Sequence, residues 1–353
     1  MMKGSPKFDI TPEQQASNIE YFRHQLFETC PAVTLEDADL SGKTAILTGA
    51  NGGIGVECAR QLLDLGLGKL VLAVREASKG EAALENIITG RKLSQGQVEV
   101  WSLDMSCYRS ITAFAERANT LQRLDIVILN AGVYRVNMQF NPSTGHEEDV
   151  QTNYLSTILL VLLFIRLFKL KRDSGMLSTA GRVVIVTSDL AAFAKFPERH
   201  ADPLLPALDE KSQKCDMAER YSTSKLLVQL FLSELIKVVP SSTVIINAAN
   251  PGFCYGTSLA RDAKGTLLGI IVFIMSHIIG HAPAIGARAV VDAAVKKGRE
   301  SHGQYVEGGK LRPSAPIVFT AEGGQIAKRL WRETMEELSF AGVQDIVDGF
   351  DIS

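Results

Sequence analysis

Short runs of apolar, often β-branched residues recur along the chain at about 43–48, 69–74, 97–102, 125–129, 181–187, 243–249 and 304–306, and longer segments with helical spacing separate them. The first run, Lys43-Thr44-Ala45-Ile46-Leu47-Thr48, has no polar face. That is the pattern of a strand buried on both sides of a parallel sheet. The alternation predicts an α/β fold, a doubly wound parallel sheet covered by helices on both faces. One domain is expected over 41–310, with an N-terminal extension over 1–40 and a C-terminal tail over 311–353. In the extension, Thr11-Pro12-Glu13 starts a predicted helix running to Phe27, and in the tail Ile326-Ala327-Lys328-Arg329-Leu330-Trp331 reads as another.

Two segments depart from an amphipathic pattern. The helix predicted over 146–172 is almost wholly apolar from 155 to 170, interrupted by Arg166 and Lys169. It is too short and too charged at its end for a good membrane span. It either packs against a twin in a dimer or lies buried in its own subunit. The second segment, 267–279 with Leu267, Leu268, Ile270, Ile271, Val272, Phe273, Ile274 and Met275, shows almost no polar face. A core helix, a lid over a greasy pocket and a membrane-surface contact compete there. The lid, over about 253–281, is preferred because a core helix normally keeps one polar face.

Composition narrows the partners. The 353 residues carry a formal net charge of −2, and no basic stripe points to a nucleic acid. The basic cluster Lys169-Leu170-Lys171-Arg172 is read as the cationic end of a helix. Five scattered cysteines (Cys30, Cys58, Cys107, Cys215, Cys254) show no zinc or redox spacing and read as free thiols. His277 and His281 are four apart, but no third ligand stands near, so no metal site is expected. The N-terminus lacks the apolar core of a secretory signal, and a cytoplasmic protein is expected, with loose membrane contact through 267–279 left open.

Candidate chemistry begins after the first strand. Thr48-Gly49-Ala50-Asn51-Gly52-Gly53-Ile54-Gly55 precedes a segment of helical periodicity, Val56-Glu57-Cys58-Ala59-Arg60-Gln61-Leu62-Leu63. Strand, glycine turn and helix in that order suit a dinucleotide pyrophosphate, although glycines also mark ordinary tight turns. The glycines let the backbone approach the phosphates, and the helix N-terminus offers unpaired N–H groups. The next strand ends at Arg75, where an arginine suits the 2′-phosphate of NADP and an acid would suit NAD; a solvated surface arginine is the other reading. Asp104 is placed for the adenine ring, or Asp104 or Ser106 caps the next helix. Far downstream stands Tyr221-Ser222-Thr223-Ser224-Lys225. An unperturbed phenol has a pKa of about 10, and a lysine at i+4 is expected to bring it toward the working range.

Together these motifs resemble those of the short-chain dehydrogenase/reductase family over roughly residues 40 to 310. The glycine motif is Thr48 to Gly55, the NAG motif Asn130-Ala131-Gly132, the helix asparagine Asn153, the catalytic serine Ser188, the YxxxK motif Tyr221 to Lys225, and the post-strand pair Pro251-Gly252. The resemblance implies a Rossmann-type fold and a tetrad of Asn153, Ser188, Tyr221 and Lys225. It also implies NADP(H) contacts from Gly49, Asn51, Gly52, Gly53, Ile54, Gly55, Arg75, Asp104, Asn130, Ala131, Gly132, Tyr221, Lys225, Pro251, Gly252 and Thr257. Two departures stand out: Asp189 follows Ser188 where a small residue is commoner, and the stretch from 188 to 221 is long. That stretch, with Pro197, Pro203, Pro206 and Asp209-Glu210-Lys211, is expected as a loop over the pocket mouth, as in the subgroup resembling retinol dehydrogenases. Asp189 either approaches the substrate or faces solvent.

The family resemblance implies a homodimer through the 146–172 helix and, from the Tyr21-Phe22-Arg23-His24-Gln25-Leu26-Phe27 extension, a fungal natural-product branch. The expected activity is NADPH-dependent reduction of a carbonyl on a lipophilic small molecule, or its reverse. A non-redox dehydration, isomerisation or cyclisation using the same tyrosine is the alternative. A cofactor-binding regulator without turnover is disfavoured by the intact tetrad.

Overall fold

The computed structural model describes residues 8–211, 216–257, 259, 262 and 267–350. Among the described residues, eight strands form one sheet: β1 (Thr44–Thr48), β2 (Lys69–Val74), β3 (Val98–Ser102), β4 (Ile126–Leu129), β5 (Gly181–Val186), β6 (Val244–Asn250), β7 (Tyr305–Glu307) and β8 (Lys310–Arg312). Their order is β3-β2-β1-β4-β5-β6-β7-β8, parallel throughout except the antiparallel edge strand β8. The reversal of order between β1 and β4 opens the crevice in which doubly wound sheets bind ligands. The seven predicted strands appear within a residue of their expected bounds. The edge strand β8 was not expected, because its three residues follow the Gly308-Gly309 turn and carry Lys310 and Arg312 rather than an apolar run.

Helices α1 (Pro12–Gln15) and α2 (Asn18–Phe27) precede the sheet, and α3 (Gly53–Asp64), α4 (Ala77–Ile88) and α5 (Tyr108–Asn119) cross over its first half. The single helix expected from Thr11 to Phe27 is thus two, because Ser17 turns extended and accepts the Glu20 N–H at 3.2 Å, starting a new helix. A π-helical turn (Val150–Leu155) leads into α6 (Ser156–Asp173). Then come α7 (Leu204–Leu208), α8 (Met217–Val238), α9 (Leu267–Ile279), α10 (Pro283–Val295), α11 (Ala321–Glu337) and α12 (Val343–Asp348). One apolar cluster gathers α5, α6, α8 and α11 on one sheet face, and another gathers α3, α4 and α10 on the other. Of the cysteines, Cys30, Cys58, Cys107 and Cys254 are unpaired, and Cys215 lies outside the described residues.

The continuous helix 150–173 is long and apolar enough to cross a membrane by composition, yet most of it is buried within its own chain. Ile158, Leu159, Val161, Leu162, Phe164, Ile165 and Phe168 have almost no exposed area, and α5 and α12 cover the helix. The stretch after Ser188 is no open loop. Short 3₁₀ turns (Asp189–Phe193 and Pro197–His200) and α7 fold it down, with Phe196, Leu204, Leu205 and Leu208 buried. The Glu333 carboxylate of α11 accepts the Leu204 and Leu205 N–H groups at 2.8 Å, and buried Glu198 pairs with Arg220 at 2.9 Å. Residues 212–215 of that stretch lie outside the described residues.

Where β5 begins, Gly181 lies under α6: a Cβ added there would sit 2.2 Å from the Phe168 ring. Overpacking of this kind costs about 1–3 kcal/mol. Gly181→Ala is expected to lower the thermal midpoint, and adding Phe168→Leu to the same chain to recover part of the loss. An unchanged midpoint in the single variant would show that α6 shifts freely over the sheet.

Candidate active site

At the end of β1 the backbone turns so tightly that only glycine fits. Gly49 adopts φ +65, and a Cβ there would lie 2.9 Å from Ala131 Cα. A Cβ at Gly55 would meet the Gly49 carbonyl oxygen at 2.4 Å. Asn130, just past β4, locks this packing by donating from Nδ2 to the Thr48 and Gly49 carbonyls, each at 3.1 Å, and the Ala131 N–H donates to Thr48 Oγ1 at 3.0 Å. Among the described residues no side chain caps the N-terminus of α3, so its leading N–H groups are available to an anion. Thr257, from the loop after β6, packs on the turn, its Cγ2 3.3 Å from where a Gly53 Cβ would be. Gly49, Gly52, Gly53, Gly55, Asn130, Ala131 and Thr257 thus meet at one point, and the cradle suits a pyrophosphate.

Beside it runs a cleft of about 480 Å³ lined by Asn51, Gly52, Gly53, Val56, Arg60, Lys79 and Gly256, among others. Ile54 instead packs inward on the apolar core. Arg60 and Lys79 escaped the sequence reading, since solvent-side helix cations carry no distinctive spacing. Arg75 stands at the end of β2, about half exposed, with its guanidinium 3.6 Å from Glu76. Asp104 folds the turn ahead of α5, whose N-cap is Cys107: one carboxylate oxygen accepts from the Ser106 N–H at 2.9 Å and the Ser106 hydroxyl at 2.7 Å.

Asn153, Ser188, Tyr221 and Lys225 come from the π-helical turn, the end of β5 and the middle of α8. Asn153 is buried and fully engaged: Oδ1 accepts the Val133 N–H at 2.9 Å, and Nδ2 donates to the Val133 carbonyl at 2.9 Å and to Ser224 Oγ at 3.0 Å. Such one-turn π distortions recur at functional sites. A side chain at Gly132 would press on Asn153 Oδ1 at 3.1 Å and Lys225 Nζ at 3.5 Å, so the glycine of the NAG motif leaves these two room. Lys225 donates to the Val186 carbonyl at 3.1 Å. The Tyr134 ring meets the Tyr221 ring edge-on at 5.1 Å.

The electrostatics correct one expectation. The Tyr221 phenol is held above its ordinary value, first by burial and then by the Asp189 charge, while Ser188 pulls the other way. The Lys225 ammonium, 5.8 Å from the Tyr221 ring centre, does not reverse this. Burial brings Lys225 itself down to about 8, against the pull of Asp149. Asp149, which the sequence reading missed, is buried and pushed up to about 8 by that burial and by Glu147; its carboxylate accepts the Arg135 N–H at 3.1 Å. It lies one helical turn before Asn153, the one signal that could have found it.

The loop after β6 is braced from an unexpected side. Helix α2 of the N-terminal extension inserts Gln25, whose Nε2 donates to the carbonyls of Phe253 at 3.0 Å and Ile279 at 2.7 Å, and whose Oε1 accepts the Phe253 N–H at 2.9 Å. The His281 N–H donates to the Phe253 carbonyl at 2.8 Å, and the Tyr255 N–H to the His281 carbonyl at 3.1 Å. The excursion that contains α9 is thereby tethered at both ends. On α9, Phe273, Ile274, Met275 and Ile278 are exposed, so this face is no part of the core. The side chains of Leu267, Leu268, Ile270, Ile271 and Val272 lie outside the described residues. Pro251 and Gly252 sit at the base of the loop, where the Gly252 N–H donates to Asn250 Oδ1 at 3.1 Å.

The short chain dehydrogenase family profile matches residues 43–200. The short-chain dehydrogenase fogG of Aspergillus ruber is 48% identical over 97% of this chain and 98% of its own length. The short chain dehydrogenase/reductase mfmJ of Annulohypoxylon moriforme is 44% identical over 93% and 94%. Among solved structures, an uncharacterized protein of Mycobacterium paratuberculosis superposes with a TM-score of 0.60 at 24% identity, covering 88% of this chain and 98% of that one. The NADPH-dependent 3-quinuclidinone reductase of Rhodotorula rubra gives 0.56 at 20% identity, covering 79% and 95%. These two share the fold. With near full-length relatives at this identity, and the glycine turn, the NAG segment and the YxxxK helix meeting around one crevice, the chain belongs to the short-chain dehydrogenase/reductase family of oxidoreductases, which use nicotinamide cofactors.

Proposed function

We propose that the protein is an NADPH-dependent reductase acting on a carbonyl of a lipophilic small molecule in fungal secondary metabolism, or the same enzyme running in reverse. The observation that carries this reading is the convergence of Asn153, Ser188, Tyr221 and Lys225 beside a glycine cradle suited to a pyrophosphate. A bound nicotinamide supplies the hydride. Tyr221, kept protonated by burial and by Asp189, gives its proton to the substrate oxygen as charge develops there. Ser188 donates a hydrogen bond to the same oxygen and holds the carbonyl in line. Lys225 binds the nicotinamide ribose, and Asn153 holds the helix turn and the proton-supply route in place. In the reductive direction the protonated phenol is the working form.

The non-redox alternative uses the same tyrosine with the cofactor as a bystander. Following NADPH absorbance across a panel of carbonyl compounds separates them: oxidation of NADPH coupled to alcohol formation supports the reductase, and product formation at constant absorbance supports the alternative.

Tyr221→Phe is expected to lower kcat by about 10²–10⁴, the usual worth of a general acid, with NADPH affinity nearly unchanged by fluorescence titration. Near-normal turnover would remove Tyr221 from the mechanism.

Arg75→Asp is expected to weaken NADPH and narrow or reverse its preference over NADH, since a guanidinium pairs bidentately with a 2′-phosphate that NADH lacks. An unchanged cofactor ratio would hand that role to Arg60 or Lys79 along the neighbouring cleft.

The lid reading of α9 is tested on Phe273 and Ile274, both facing solvent in this structure, so an effect on KM reports closure over the substrate. Replacing both with serine is expected to raise KM for bulky apolar carbonyls more than for small polar ones. Equal changes in both classes would reject a substrate-sensing lid. Release of the protein from lipid vesicles with kinetics untouched would make the face a membrane contact instead.

A further inference from the structure

Asp189 is a carboxylate that the chemistry above does not consume, yet it touches the catalytic serine. The Ser188 hydroxyl donates to Asp189 Oδ1 at 3.1 Å while its oxygen accepts the Leu190 N–H at 3.2 Å. Behind Asp189 a chain of buried polar groups leads out of the sheet. The Asn250 side chain donates to Glu307 Oε1 at 2.6 Å and lines the same cavity as Asp189. The Tyr305 hydroxyl donates to the same oxygen at 3.1 Å. The other Glu307 oxygen takes the Gln15 amide at 2.7 Å and lies 2.9 Å from His24 Nδ1. Gln15 and His24 belong to α1 and α2 of the N-terminal extension. His24 Nε2 faces Glu20 at 2.8 Å, nearer the surface. A cavity of about 40 Å³ lies among His24, Asp189, Asn250, His281 and Glu307, room for about one water.

We propose that Asp189 is a positioning residue that decides which way the Ser188 hydroxyl donates, and that the N-terminal extension sets its charge state through His24, Glu307 and Asn250. The proposal rests on the reductase reading for its kinetic consequence. While Asp189 is ionised, it accepts the Ser188 proton, which is then withheld from the substrate oxygen, and its charge opposes the negative charge growing there. Once Asp189 is protonated, Ser188 is released to donate to the substrate oxygen. Geometry makes this switch local, because Ser188 Oγ donates directly to Asp189 Oδ1 at 3.1 Å.

The surroundings place the transition in an accessible range. Burial, then the Glu307 charge, push the Asp189 carboxyl up to about 6, against the pull of Ser188 and Asn250. The titratable groups packed around it are Tyr21 and His24 from α2, Glu307 and Tyr305 from β7, Tyr221 from α8, and Cys254 and His281 from the loop around α9. Burial works to raise Glu307 as well, but His24, Gln15 and Asn250 hold it below its ordinary value. Glu307 therefore stays charged next to Asp189, and the sign follows. Above about pH 6 Asp189 is ionised and opposes reduction; below it Asp189 is neutral and the opposition is lost.

The test uses the full-length chain and Asp189→Asn, which keeps size and polarity but has no charge to titrate. In the wild type, kcat/KM for carbonyl reduction is expected to step upward as pH falls through about 6, carried mainly by kcat. Asp189→Asn is expected to lose that step and to hold the low-pH rate at neutral pH, with an unchanged melting temperature. A step that persists in this variant overturns the proposal, and so does a variant slowed equally at every pH. An arm without turnover follows the carboxyl carbons of ¹³C-labelled aspartate by NMR. The resonance missing in Asp189→Asn should titrate near pH 6 and move to a lower midpoint in Glu307→Gln, which removes the neighbouring charge. A midpoint in the ordinary carboxylate range, or one indifferent to Glu307, overturns the wiring even if no carbonyl substrate is turned over. Absence of NADPH oxidation by the wild type with the NMR shift intact counts against the reductase reading and leaves the wiring standing.

Discussion

The rest of this structure depends on how closely the turn after β1 approaches the end of β4. Gly49 and Gly55 remove the side chains that would hold the two apart, and the Asn130 amide ties the remaining carbonyls together. This contact aims α3 at the crevice between β1 and β4 and leaves its N-terminus unblocked. It also sets Ala131 and Gly132 against the turn, so the segment after β4 runs on to Val133, where Asn153 is bound. The cradle suited to an anion and the anchor of Asn153 are therefore two ends of one packing constraint.

Burial then governs the chemistry. Tyr221 and Lys225 are both almost fully buried, and removal from water disfavours the charged form of each. The phenol rises and the ammonium falls, which draws the pair away from a simple phenolate–ammonium partnership. Acidic neighbours sharpen the contrast: Asp189 stands on the serine side and Asp149 on the lysine side. Net charge near the reacting oxygen is accordingly decided by groups outside the four-residue motif.

Both chain ends are structural parts of the site and not appendages. The N-terminal extension reaches the loop after β6 through Gln25 and the end of β7 through His24 and Gln15. Arg312 of β8, fully buried, pairs with Glu28 at 3.0 Å and with Asp9, which fastens the extension to the sheet edge. At the other end, α11 supplies Glu333 to cap α7 and Trp331 to stack on Phe231 of α8 at 4.7 Å. The C-terminal helices thus brace α8, which carries Tyr221 and Lys225, from behind.

What the sequence by itself determined is whatever is encoded by local pattern. Apolar runs bounded the seven parallel strands, glycine spacing marked the cradle, and the ordered motifs named Asn153, Ser188, Tyr221 and Lys225, because each depends on neighbours within a few residues. Burial of the 150–173 helix, the folding of the stretch after Ser188 and the edge strand β8 depended instead on partners far along the chain: α12, Glu333 and the turn at Gly308 and Gly309. The direction of the Tyr221 shift was likewise settled only in three dimensions. Spacing places Lys225 one turn away, but the sign is a sum over burial and over Asp189, and the Asp189 carboxyl is itself raised by burial and by Glu307, 118 residues downstream, a pairing that leaves no mark on local periodicity.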